Sequence, residues 1–260
     1  MANIQDYDIY TARMQKSVYD KMFFVDKIFD DSIDTVIDFG SADGELILHL
    51  HTFMPEVRFI GYDIDETMLE RAKERVPFAE FYSNWNDIHV DPDRTIVNLS
   101  SVIHEIYHYA NDGDIAVFWQ RILAPGFAYI TIRDMFKNDI DLPAGDGWRQ
   151  NVIDAGYGKQ LDDFEKCWGK IKTINQKNHF LLKYKYKENW DREVSENYMP
   201  ITVGELKHTV THYMPYGVYE IDYENFSPLP FIVNQIGKDL NLNMESFPTH
   251  LRIIFRKESL

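Results

Sequence analysis

Thr35-Val36-Ile37-Asp38-Phe39-Gly40-Ser41-Ala42-Asp43-Gly44-Glu45-Leu46 is the stretch whose reading decides the fold. Val36 to Phe39 is a short apolar, partly β-branched run, as in a buried strand. It breaks at Gly40. After a second glycine, Gly44, the run Glu45-Leu46-Ile47-Leu48-His49-Leu50 reads as a helix with an acidic first turn. Strand, glycine turn and helix in that order build a nucleotide site in a doubly wound sheet. Glycine lets the backbone turn sharply against a ligand, and the helix N-terminus offers free N–H groups.

The glycine spacing narrows the ligand. A dinucleotide fingerprint would place glycines at 40, 42 and 45, where this chain has Gly40, Ala42 and Glu45. Asp38 and Asp43 flank the turn and would repel a pyrophosphate. They suit a cationic or hydroxyl-rich ligand. A second apolar strand, Val57 to Tyr62, ends at Asp63, an acid placed to accept hydrogen bonds from ribose hydroxyls.

With Val36-Ile37-Asp38-Phe39-Gly40-Ser41-Ala42-Asp43-Gly44 and Ile60-Gly61-Tyr62-Asp63-Ile64-Asp65, the chain resembles the class I S-adenosylmethionine-dependent methyltransferases. Ala42 departs from the glycine that many members carry. The resemblance covers roughly residues 30–135 and 200–257. It implies an α/β fold: a Rossmann-like, doubly wound, seven-stranded sheet with the last strand antiparallel. It also implies S-adenosyl-L-methionine as cofactor. The methionine part would lie over Asp38, Gly40, Ser41, Ala42, Asp43 and Gly44, and the ribose on Asp63, with Ile64 and Met68 alongside. The loop after strand three would meet adenine through Asn84, Trp85 and Asn86. Trp85 reads equally well as a core aromatic.

Residues 7–30 read as an amphipathic helix through Met14, Val18, Met22, Val25 and Phe29. By the resemblance this is a lid over the cofactor, with Arg13 within reach of its carboxylate. A plain packing helix is the alternative.

Strands are expected at 78–82, 95–99 and 127–133, then at 216–223 and 250–257. Ser100 or Ser101 can cap the helix after the fourth strand, and the resemblance puts both beside the cofactor. It also sets His104, Glu105 and His108 near the transferable methyl. His104 is the leading candidate for a catalytic base, with Glu105 and Asp134 behind it. His104 and His108 share a helix face, but two histidines without a third ligand in view are weak evidence for a metal, and none is expected. Arg133, at the end of the fifth strand, either orients substrate or pairs with Asp134.

Residues 136–200 differ in character and are read as a helical cap inserted into a single domain spanning 1–260. Helices are expected at Asp162–Lys172 and Asn178–Glu193. In the resembling family such a cap commonly sets specificity, which points to Tyr184, Tyr186 and Trp190 as substrate contacts. Lysines interleave with these aromatics, so the cap could grip a nucleotide or nucleic acid. A solvated face or a homodimer contact is the plainer reading.

The chain has 260 residues, a formal net charge of −15 and a single cysteine, Cys167. The charge argues against broad binding to nucleic acid or anionic membrane. The lone cysteine excludes an internal disulfide and fits a reducing, cytoplasmic setting. No signal peptide and no membrane-spanning run are evident. Methyl transfer to an oxygen or nitrogen of a small molecule is the leading expectation. The rivals are a non-catalytic S-adenosylmethionine-binding module and a nucleotide or nucleic-acid methyltransferase.

Overall fold

The computed structural model describes residues 17–212, 219–244 and 248–258. Seven strands form one sheet in the order β3-β2-β1-β4-β5-β7-β6. They are β1 (Thr35–Phe39), β2 (Arg58–Tyr62), β3 (Glu80–Tyr82), β4 (Thr95–Ser100), β5 (Tyr129–Met135), β6 (Tyr219–Ser227) and β7 (His250–Lys257). β1 to β5 pair in parallel. β7 runs antiparallel to both its neighbours, so it alone is reversed. The chain direction turns back between β1 and β4, the switch point where open α/β sheets hold ligands.

Both faces of the central strands are covered, and every residue of β1 and β4 is buried. That is why they read as near-continuous apolar runs. Successive residues still point to opposite faces. Ile37 and Phe39 join a core with helices α5 (Asp112–Leu123) and α10 (Val203–Thr211). Val36 joins the other core, with α1 (Val18–Lys21), α2 (Glu45–Phe53) and α3 (Glu66–Arg75). Asp38 therefore faces the α1 side. Thr202 and Glu205 form a reciprocal capping box that starts α10.

A third core belongs to the segment after β5. Helices α6 (Trp148–Asp154), α7 (Gly158–Trp168), α8 (Ile174–Leu181) and α9 (Trp190–Ser195) pack around Val152, Phe164, Phe180 and Tyr184. Helix α11 (Pro230–Leu240) contributes Ile236 and Leu240 to the same core. Paired hydrogen bonds between Asn138 and Asn175 fasten α8 to the chain just after β5.

Two expectations fail here. Among the described residues α1 is a single turn, and the helix does not continue past Lys21, although Val25 still packs against the same core. Phe24 is buried, while Phe29 is 87% exposed. The expected helix Asn178–Glu193 is two helices with a turn between, because Lys183 is drawn inward.

Candidate functional site

The loop after β1 is built from residues in left-handed conformations: Gly40 (φ 80°), Ala42 (φ 45°) and Gly44 (φ 75°). Ala42 is costly there, and its amide is held in place by Asp63 Oδ2 at 2.8 Å. Asp63 Oδ1 accepts from the Asp65 amide at 2.9 Å. The acid ending β2 thus fixes two backbone loops and retains lone pairs for a ligand. Burial raises its pKa. Ile64, next along, is 61% exposed and offers a flat apolar surface.

Gly40, Ser41, Ala42, Asp43, Met68 and Ser100 line a cavity with Asp38, Val18 and Lys21. Its free volume is about 30 Å³, on the scale of a single water. Among the described residues, the buried hydroxyls of Ser41 and Ser100 have no hydrogen-bond partner. Native structures rarely leave such groups unpaired, so a polar ligand suits this cavity. Gly44 shapes the turn without facing the cavity. A side-chain carbon there would crowd Val76 and Phe81.

A polar row crosses the sheet beneath. Asn98 Nδ2 donates to Asp38 Oδ1 at 2.8 Å, and Thr131 Oγ1 donates to Asn98 Oδ1 at 2.9 Å. Burial pushes the Asp38 carboxyl up to about 6, although Asn98 and the Lys21 ammonium favour its charged form. Burial, followed by the Arg133 charge, pushes Lys21 down to about 8; Asp38, Asp134 and Glu105 oppose this. Lys21 therefore lies between the cavity and a second group of ionisable residues.

That group begins where β4 ends. Ser101 takes a left-handed φ of 59°, and helix α4 (Ile103–Tyr109) follows. Neither serine caps it. Instead Asp134, on β5, accepts from the His104 amide at 3.2 Å and from His104 Nδ1 at 2.7 Å. Burial works against a charged imidazole, but Asp134, Glu105 and Glu196 outweigh it and push His104 up to about 9. Burial would raise the Asp134 pKa, yet its bonds with His104 hold it low. Asp134 thus orients His104. His104 Nε2 points towards Glu196 Oε1, 3.8 Å away. Glu196 follows α9 and comes from the cap. Burial raises the Glu105 pKa, partly opposed by His104.

Other expected site residues are placed elsewhere. Arg133 is buried, with Nε 2.6 Å from Asp20 Oδ2 and Nη1 donating to Ser101. It anchors α1 through Asp20. Trp85 packs on Phe39, Tyr62 and Phe127, which makes it a core aromatic. Asn84 and Asn86 are exposed on the turn that Asn84 caps. Asp43 stays at the cavity, its carboxylate tied to Arg75 at 2.7 Å. Tyr184, 2% exposed, donates to Asp239, and Trp190 lies in the cap core. Both are packing residues. Tyr186 is half-buried in the turn before α9. The basic face also dissolves: Lys183 and Lys177 are buried, Lys185 pairs with Asp239 and Lys166 with Asp163. Arg13 lies outside the described residues.

Lys21, Asn98 and Glu196 were missed. Asn98 had a signal: it is a lone amide in an apolar strand, in register with Asp38.

No family model and no curated protein matches the chain. Solved structures do. The plantazolicin methyltransferase BpumL in complex with SAH is similar with a TM-score of 0.56 and 14% identity, over 99% of this chain and 92% of that one. The methyltransferase domain of bacterial CtHen1-C has a TM-score of 0.52 and 12% identity, over 94% and 99%. Human N-acetylserotonin methyltransferase in complex with SAM has a TM-score of 0.50 and 12% identity, over 96% of this chain and 55% of that one. At such identities the likeness speaks for architecture. With the strand order, the reversed β7 and the glycine turn at the switch point, it establishes that this chain has the class I methyltransferase fold.

Proposed function

We propose that the chain is an S-adenosylmethionine-dependent methyltransferase acting on an oxygen or nitrogen of a small molecule. The observation that carries this is the cavity at the switch point, with unpaired Ser41 and Ser100 hydroxyls and the loop-holding carboxylate of Asp63 beside it. These residues fit the cofactor: Asp63 for the ribose, Ile64 and Met68 for the adenine side, Asp38 and the serines for the methionine end. When bound, S-adenosylmethionine supplies a methyl group already activated on a sulfonium. The protein then has mainly to align the acceptor. His104 and Glu105 are suited to the acceptor side; His104, pushed up to about 9, is already charged at neutral pH, which leaves Glu105 as the candidate proton acceptor. A polyanionic acceptor is disfavoured, because Lys183 is buried and Lys166 and Lys185 pair with Asp163 and Asp239.

Calorimetry tests this directly. S-adenosylhomocysteine should bind and NAD should not. Absence of heat and of a thermal shift with both S-adenosylhomocysteine and S-adenosylmethionine would sink the reading.

Asp38 gives the binding a pH dependence. Its carboxyl is neutral below about 6 and charged above. The charged form is the one that attracts the ammonium of the methionine end, so affinity should rise from about pH 5 to about pH 7 and then level. Of the charged groups facing the same carboxyl, Lys21, pushed down only to about 8, stays largely charged through that window, and the Asp63 charge opposes ionisation of Asp38. Asp38→Asn should flatten the profile. A wild-type profile that is flat, or that falls with pH, would show that Asp38 does not face the ligand's cation.

A further inference from the structure

We propose that His104, Glu105 and Glu196 form a site for a transition-metal dication of the Mn²⁺ to Zn²⁺ series. One ligand atom from each of the three lies within 4.8 Å of the others. The set is one imidazole nitrogen and two carboxylates, a mixed donor group that suits these ions better than Mg²⁺ or Ca²⁺.

Two features separate this cluster from an ordinary acidic patch. The first is how His104 is held. Its Nδ1 is engaged by Asp134 at 2.7 Å, which fixes the ring and directs Nε2 into the cluster. Metal-binding histidines are oriented in this way, by a carboxylate on the far nitrogen. The second is Glu196. It is 1% exposed, yet among the described residues its carboxylate accepts no hydrogen bond. Its contacts are longer ion pairs: His104 Nε2 at 3.8 Å and Arg192 Nη2 at 3.5 Å on the other oxygen. A buried carboxylate left this way is expensive. The Lys183 ammonium stands nearby and attracts it, but makes no hydrogen bond to it. Lys183 Nζ donates instead to the backbone carbonyls of Glu193, at 2.7 Å, and Glu196, at 2.5 Å. The Glu196 carboxylate is thus left facing an imidazole nitrogen and a second carboxylate, Glu105, which has no hydrogen bond among the described residues either.

Bonds of about 2.0–2.2 Å would bring neighbouring ligands on one ion to roughly 3 Å, closer than they stand here. Binding therefore draws Glu196 inward and fastens the cap to α4. Three protein ligands leave positions open for an acceptor oxygen. That role rests on the methyl-transfer reading; the site itself does not.

The test uses the full chain, stripped with chelator, in a His208→Ala/His212→Ala background. Those two rings stack at 4.4 Å on the end of α10 and would compete for the ion. Calorimetry with MnCl₂ and ZnCl₂, and the visible spectrum with CoCl₂, should show one ion per chain, a nitrogen ligand and a higher Tm. Glu196→Gln should weaken binding at least tenfold and leave S-adenosylhomocysteine affinity unchanged. Glu105→Gln, at the half-buried rim, does the same if Glu196→Gln fails to fold. No ion bound at millimolar metal, or undiminished binding in the glutamine variants, would overturn the site. Loss of S-adenosylhomocysteine binding in the parent chain would overturn the methyl-transfer reading instead.

Discussion

Asp63→Ala is expected to weaken S-adenosylhomocysteine binding by about a hundredfold or more. A carboxylate that accepts from both ribose hydroxyls makes two charge-assisted bonds, each worth on the order of 1.5–3 kcal/mol. At about 1.4 kcal/mol per factor of ten, the sum spans roughly two to four powers of ten. The variant loses more than the ligand contacts, since Asp63 also holds the Ala42 amide at 2.8 Å and so keeps a left-handed alanine in place. Asp63→Asn, which keeps one acceptor oxygen, should fall between wild type and Asp63→Ala. Calorimetry on folded variants decides it. Wild-type affinity in Asp63→Ala would move the ribose to another acceptor.

The second large effect is on stability. Gly61 sits mid-strand in β2, paired with Asp38 on one side and Phe81 on the other. A side-chain carbon there would stand 2.5 Å from the Phe81 ring and 2.7 Å from Ser41 Oγ. Those atoms belong to a packed ring and to the cavity loop, so neither yields freely. Overpacking of this kind costs about 1–3 kcal/mol and occasionally more. In a domain of this size each kcal/mol lowers Tm by roughly 2–4 °C. Gly61→Ala should therefore melt about 5–10 °C below wild type by circular dichroism. It should also bind S-adenosylhomocysteine more weakly, because Ser41 is displaced. An unchanged Tm would mean that β2 and β3 separate at little cost.

The sheet was legible in the sequence because its signals are local. Val36 to Phe39 is a short apolar run that breaks at Gly40, and Thr202 with Glu205 carries a whole helix start in four residues. The site was half legible for the same reason. Asp38, Asp63, Ser41 and Ser100 sit on strand ends whose places follow from the fold. Lys21 and Glu196 were hidden, since nothing local distinguishes a lysine or glutamate that will be buried from one that stays in water. Their environments are made by pairings across the chain, Lys21 with Asp38 and Glu196 with His104. The cap misled most. Tyr184 and Trp190 have the composition of a binding face, but a segment with no sheet to lie on uses its aromatics to build its own core. Lys183, one of the lysines interleaved with those aromatics, is pushed down to about 7 by burial, against which Glu196 and Glu193 act.

That private core has a consequence for anyone exchanging caps between proteins of this architecture. It is assembled from two separate stretches of chain: the helices between β5 and α10, and α11 with Met244, which lie between β6 and β7. A graft of residues 136–200 alone would leave Ile236, Leu240 and Met244 facing a foreign surface. The donor chain would also keep a His104 whose Glu196 had gone with the graft. The transplantable unit is therefore discontinuous. It runs from Asn138 to Glu196 and resumes at Pro230, and recombination points belong in the strands between.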